Sequence, residues 1–60
     1  MDELLTVKEA SRILSLSIST LYAFVHQKRI PYVKLGKSLR FRRNDLEQWV
    51  ETQARPTENP

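Results

Sequence analysis

Apolar positions recur at two different periods along this 60-residue chain, and the switch between them outlines its architecture. Val7, Ala10, Ile13 and Leu14 follow helical spacing. Just before them, Thr6-Val7-Lys8-Glu9 fits a capping box, in which hydroxyl and carboxylate each satisfy a free amide of the first turn. A first helix over Val7–Leu14 is predicted, with Leu5 packing back on it as a staple. Ser15-Leu16-Ser17 breaks the pattern, with one aliphatic tucked inside the break. Ser17 suits the cap of a second helix, from about Ile18 to Gln27. Leu21, Phe24 and Val25 make its buried stripe, while Ser19, Thr20, Tyr22, Ala23 and His26 fall largely on the other face.

Pro31 ends the helical region, and the period drops to two. Val33 and Leu35 alternate with Tyr32 and Lys34; after Gly36-Lys37-Ser38, Leu39 and Phe41 alternate with Arg40 and Arg42. The reading is a hairpin, apolar on one face and basic on the other. A third helix follows from Arg43 or Asn44 to Gln53, with Leu46, Trp49 and Val50 as its stripe. Phe24, Phe41 and Trp49 are assigned to the core. Residues 1–53 form one domain, and the proline-containing tail 54–60 is expected to be disordered.

Charge sharpens this outline. From Ala10 to Asn44 there are eight basic residues (Arg12, Lys28, Arg29, Lys34, Lys37, Arg40, Arg42 and Arg43) and no Asp or Glu. The acids sit at the two ends, so a net charge of +3 hides a local charge of +8. Such a block concentrates positive potential where a polyanion neutralises it. The competing reading is a basic surface that is merely solvated. Other classes are disfavoured. With no Cys and one His, neither disulfides nor a protein-only metal centre is expected. No apolar run approaches membrane-spanning length, and the acidic Met1-Asp2-Glu3 is unlike a secretory leader. A cytoplasmic protein without cofactor is expected. So small a core leaves little for a catalytic cleft, and no nucleophile or phosphate-loop spacing is present, so an enzyme is not expected.

Helix, turn, helix, hairpin, helix is the order of a small winged helix-turn-helix, mainly α with one β-hairpin. Its second helix is slim and polar enough for a major groove, with the Ser17, Ser19 and Thr20 hydroxyls at its start. Its hairpin is a basic finger in which Lys34, Lys37, Ser38, Arg40 and Arg42 reach toward an adjacent backbone or minor groove. Arg12, on the outer face of the first helix, serves equally a phosphate contact or solubility.

Four pieces of sequence then carry a family resemblance: Leu5-Thr6-Val7-Lys8-Glu9-Ala10; Ser17-Ile18-Ser19-Thr20-Leu21-Tyr22; Ile30-Pro31 with Leu35-Gly36; and Arg40-Phe41 leading into Asp45-Leu46-Glu47-Gln48-Trp49. In this order and spacing the chain resembles the excisionase-type DNA-binding domain, a compact branch of the MerR-like winged helix-turn-helix group, from about Leu5 to Val50. The resemblance implies duplex DNA binding by the second helix, with Ser19, Thr20, Tyr22, Ala23 and His26 in or near the groove and the hairpin as wing. Three positions depart from it. Ile18 replaces a polar or basic residue, Ala23 stands where many relatives carry Arg, and Lys28 stands where a helix-ending Gly is common. Without a basic residue before His26, arginine-to-guanine contacts from the first two turns are ruled out, and affinity leans on the wing.

The expected roles are a phage or mobile-element excisionase, acting architecturally beside a recombinase or integrase, or a small transcriptional regulator working with RNA polymerase. Lacking a long heptad segment, the chain is expected to be a monomer that cooperates only on DNA. A bacterial or phage-encoded protein of the cytoplasm, associated with the nucleoid, fits these roles. The alternative from another class is a protein-interaction module that docks a recombinase or polymerase through its acidic third helix and tail (Asp45, Glu47, Glu51 and Glu58). RNA is the least favoured ligand, since the aromatics needed for base stacking are assigned to the core.

Overall fold

The structure is a computed structural model, and residues 1–55 are described. The elements in chain order are β1 (Leu4–Leu5), α1 (Val7–Leu14), α2 (Ile18–His26), β2 (Val33–Leu35), β3 (Ser38–Arg42) and α3 (Arg43–Gln53). Three helices surround a three-stranded antiparallel sheet of order β1-β3-β2. The chain folds as a winged helix-turn-helix. Of the tail, Ala54 and Arg55 join no regular element; the expectation for 56–60 lies outside the described residues.

Local signals set the helix ends. The Glu9 amide donates to Thr6 Oγ1 (3.1 Å) and the Thr6 amide to Glu9 Oε1 (2.8 Å), completing the capping box. These two bonds also hold the Glu9 carboxyl below its ordinary range, with the Thr6 amide as the main cause. α1 ends at Ser15, which adopts the left-handed region (φ 56°) so that the Ser15 amide reaches Arg12 O and the Leu16 amide reaches Ser11 O. Ser11 Oγ donates to Leu16 O at 2.6 Å and clamps the same turn. Leu16 thereby packs against the core, as the interrupted pattern predicts.

Nearly every element contributes one buried residue to the core. Leu5 comes from β1, Ala10 from α1, Leu21 from α2, Ile30 from the α2–β2 connection, Phe41 from β3 and Leu46 from α3. Burying a side chain of Leu or Phe size contributes about 1.5–3 kcal/mol, so this cluster is the main stabilising term. Trp49 is only partly buried: its ring centroid lies 6.1 Å from that of Phe24, and its Nε1–H donates to Arg29 O at 2.8 Å. The rest of two predicted stripes stays outside. Ile13 is 46% exposed and Val50 43%, because the core is filled before α1 and α3 close over them.

Pairings distant in sequence tie the N-terminus to β3 and to the start of α3. Leu5 is more than a staple, since β1 pairs with β3 in the register Leu4↔Arg42 and Leu5↔Phe41. Arg43, at the start of α3, reaches back to the N-terminus, where its Nε lies 2.7 Å from Glu3 Oε1, which raises its pKa. The Asp2 carboxylate accepts from the Asn44 amide (3.2 Å), capping α3, whose own N-cap residue Arg42 makes no side-chain capping bond. The acidic N-terminus thus serves the start of α3.

The wing departs from the expected separation of its faces. β2 and β3 pair as Val33↔Arg40, Lys34↔Leu39 and Leu35↔Ser38. Directly opposed residues point to the same side of a sheet. Lys34 therefore shares a face with Leu39 and Phe41, while Arg40 and Arg42 share the other with Val33, Leu35 and Ser38. The predicted separation into an apolar and a basic face does not hold. The cause is the turn: Gly36 and Lys37 alone make it, with Gly36 at φ 62°. A three-residue turn would set Leu35 opposite Leu39, and shifting register by one residue exchanges which side chains share a face. Leu35 is consequently 50% exposed.

Candidate nucleic-acid interface

α2 is capped by Ser17, whose Oγ accepts from the Thr20 amide (3.1 Å) and donates to Thr20 Oγ1 (2.8 Å); Ser19 Oγ lies 3.2 Å away. The three hydroxyls form one cluster on the first turn. Ser17 is occupied with capping, while Ser19 is exposed and Thr20 half-buried. Ile18, beside them, is 42% exposed. An aliphatic side chain at that place suits a thymine methyl in a major groove. In the sequence Ile18 stands out as a departure from relatives; in the fold its side chain is open to solvent on the same turn as Ser19.

Further along α2, Tyr22 (53% exposed), Ala23 and His26 stay in solvent because Leu21 takes the core position and Phe24 and Val25 pack beside it. Ser17 and His26 are separated by roughly 13 Å along the helix axis at 1.5 Å per residue. The exposed face of α2 thus spans about the width of a DNA major groove.

Between the C-terminal half of α2 and the wing runs an open groove of about 560 Å³. Tyr22 and His26 line it from α2, Lys28 and Tyr32 from the connection, and Lys34, Lys37 and Leu39 from the wing. Three lysines line it and no Asp or Glu does. Unscreened like charges repel one another, and an approaching phosphate relieves that repulsion. The register explains why Lys34 belongs here: it lies on the core-side face of the sheet, beyond the end of the core.

In the sequence Lys28 belongs to the basic block and stands where a helix-ending Gly is common. It adopts the left-handed region (φ 59°), with the Lys28 amide donating to Val25 O (3.0 Å) and the Arg29 amide to Phe24 O (2.8 Å). This is the helix-ending geometry that glycine normally supplies. Lys28 Nζ then lies 3.3 Å from Tyr32 Oη and 5.9 Å from the centre of its ring. Arg29 stacks on Phe24 with its guanidinium carbon 4.9 Å from the ring centre.

The residues assigned to DNA from sequence therefore separate into groups. Tyr22, His26, Lys34 and Lys37 come together around the groove, joined by Lys28, with Ser38 exposed at the end of the turn. Ser17, Ser19 and Thr20 occupy the far end of α2, with Ala23 between. Arg40 and Arg42 lie on the opposite face of the wing. Arg40 is half-buried, with Nη1 donating to Leu39 O at 2.8 Å, and Arg42 pairs with Asp45 at 3.4 Å.

Compared with known families, residues 4–54 match a family described as "Helix-turn-helix domain". The chain belongs to the helix-turn-helix domain family. That family fits the excisionase-type resemblance carried by the four sequence pieces, and a helix-turn-helix domain points to DNA binding. No curated protein and no solved structure matches the chain significantly. Among the described residues, no helix is long and apolar enough to cross a membrane, and no cluster of His, Cys, Asp and Glu is arranged to hold a metal.

Proposed function

We infer that this helix-turn-helix domain binds double-stranded DNA sequence-specifically, with α2 in the major groove and the wing along the flanking backbone. One observation carries the reading: the exposed face of α2 continues into a lysine-lined groove free of carboxylates. Ile18, Ser19, Thr20 and Ala23 meet base edges, while Tyr22, His26, Lys28, Lys34 and Lys37 hold sugar and phosphate. Ser17 positions the first turn, and Ser38 supplements the wing tip. Arg40 and Arg42 contribute to the surrounding field more than to direct contacts. Small side chains on α2 give modest base specificity, part of it read through DNA shape.

The biological role that best fits is excisionase-type direction of recombination beside a recombinase or integrase. A small transcriptional regulator meeting RNA polymerase is the second role. Both suit a cytoplasmic, nucleoid-associated protein that is monomeric alone and cooperative on DNA. The test is selection of bound duplexes from a random-sequence library at two salt concentrations. A recovered motif with direct, closely spaced repeats supports the excisionase role, and palindromic half-sites support the regulator. Replacing Lys34 and Lys37 with Ala reduces the salt slope by about 0.9 per phosphate contact removed. Duplex binding no stronger than that of an unrelated polyanion would overturn the reading, and a constitutive dimer by sedimentation would overturn the monomer assignment.

A further inference from the structure

A second groove lies between α1 and α3 and shares no lining residue with the lysine groove. Buried Leu5 and Leu46 form its floor, and Ile13, Leu14 and Val50 its walls. Its volume is about 250 Å³. A cavity of about 150 Å³ already admits a benzene-sized group, so a large aliphatic or aromatic anchor fits here. Ile13 and Val50 keep much of their surface in water although both adjoin the core, and the fold itself draws little from that exposed area.

The rim supplies the second observation. Glu47 and Glu51, one turn apart on α3, are exposed on this groove, and neither joins an ion pair among the described residues. The cation on the rim, Arg43, is already neutralised by Glu3 at 2.7 Å. The groove is thus apolar with a net negative edge, opposite in sign to the α2–wing face. A duplex is repelled from it, and it stays open while α2 is engaged. A groove between two helices accepts a third helix laid along it through an apolar stripe.

We propose that the α1–α3 groove docks a basic amphipathic helix of a partner protein. Its apolar anchors sit over Leu5 and Leu46 between Ile13 and Val50, and its Lys or Arg side chains pair with Glu47 and Glu51. The proposal rests on the DNA-binding reading only in leaving this face uncovered, and it names the surface by which a DNA-bound domain engages a recombinase or polymerase.

The experiment titrates the isotopically labelled full chain with a helical peptide carrying Leu at i, i+3, i+4 and i+7 and Lys on both flanks. A matched peptide has Glu in place of each Lys. The Lys peptide is expected to shift the amide signals of Ile13, Leu14, Leu46, Val50 and Glu51, and to leave those of Tyr22 and Lys34 in place. The Glu peptide binds about tenfold more weakly or worse. The double variant Glu47→Gln, Glu51→Gln, which leaves the core untouched, weakens the Lys peptide roughly three- to tenfold. Val50→Asp weakens it by about tenfold or more. Both variants keep wild-type affinity for duplex DNA. Equal binding of the two peptides, or shifts confined to α2 and the wing, overturns the proposal. So does movement of the same groove signals with protein concentration alone, which assigns the groove to a second copy. Should the wild type bind the peptide here but fail to bind DNA, the docking surface stands and the DNA-binding reading falls.

Discussion

Replacing Lys28 with Gly is expected to make the protein more stable and a weaker DNA binder at once. Lys28 holds φ 59°, a conformation that costs an L-residue about 1–2 kcal/mol and glycine nothing. Two effects oppose the gain. Glycine enlarges the unfolded ensemble, an effect of about 0.4–1 kcal/mol. The contact of Lys28 with Tyr32 is lost, but at 3.3 Å and 5.9 Å on an exposed surface it is worth about 0.5 kcal/mol or less. The balance is a stabilisation of about 0.5 kcal/mol, which for a domain of this size raises Tm by about 2–4 °C. In DNA titrations across salt, the same variant loses one phosphate contact, and the slope of log K against log salt falls by about 0.9. Lys28→Ala separates the two effects. It removes the charge and keeps the strained backbone, so its slope matches that of the Gly variant while its Tm does not rise. A Tm for Lys28→Gly at or below that of Lys28→Ala would refute the strain argument. An unchanged salt slope in both would remove Lys28 from the interface.

Other perturbations isolate single features. Gly36→Ala should lower stability by about 0.5–1 kcal/mol, the cost of a positive φ less what a smaller unfolded ensemble returns, because a Cβ there meets no atom within 4 Å; a thermal melt reads it, and no change would refute the turn assignment. Ile18→Ser should leave the melt within about 0.5 kcal/mol of wild type and relax a thymine preference at one position of the selected motif; an unaltered motif places Ile18 outside the groove. The folded-state pKa of Glu9 is depressed, so its contribution is present above the ordinary glutamate pKa and is lost as pH falls through the lower folded value. Glu9→Gln should therefore melt with a shallower fall in Tm across that acid window than wild type, and parallel curves would show that the capping box is not what titrates. Trp49→Phe removes the bond to Arg29 O and should cost about 1 kcal/mol by thermal melt, with DNA affinity unchanged.

How much of the interface was legible depended on the range of the forces involved. Tyr22, Ala23 and His26 were placed on the free face of α2 from spacing alone, because a helix of known phase with Leu21 inward leaves them outward. Lys34 and Arg40 were both assigned to a basic outer face, yet they lie on opposite faces. Their placement turned on whether Gly36 and Lys37 close the turn alone, and an alternating pattern does not announce its register. Lys28 was visible as a departure from a glycine. Only the packing of the α2–β2 connection brings its ammonium beside Tyr32 and sets it on the groove that Lys34 and Lys37 also line.

By itself, then, the chain specified what neighbouring residues decide among themselves. The Thr6–Glu9 capping box, the start of α2 at Ser17, the span Val7–Leu14 and a wing pivoting on Gly36 all rest on contacts within a few residues, whose energies composition and spacing encode directly. The tertiary structure alone decided what joins distant segments. Leu5 became a strand on β3, Asp2 and Glu3 crossed to the start of α3, Ile13 and Val50 were left outside a filled core, and Lys34 turned toward α2. Each of these is a choice among several partners of similar chemistry, such as Glu3 as the ion-pair partner of Arg43. Such a choice is settled only when all the elements pack at once, because the core admits one arrangement of Leu5, Ala10, Leu21, Ile30, Phe41 and Leu46 and every surface residue takes the place that arrangement leaves it.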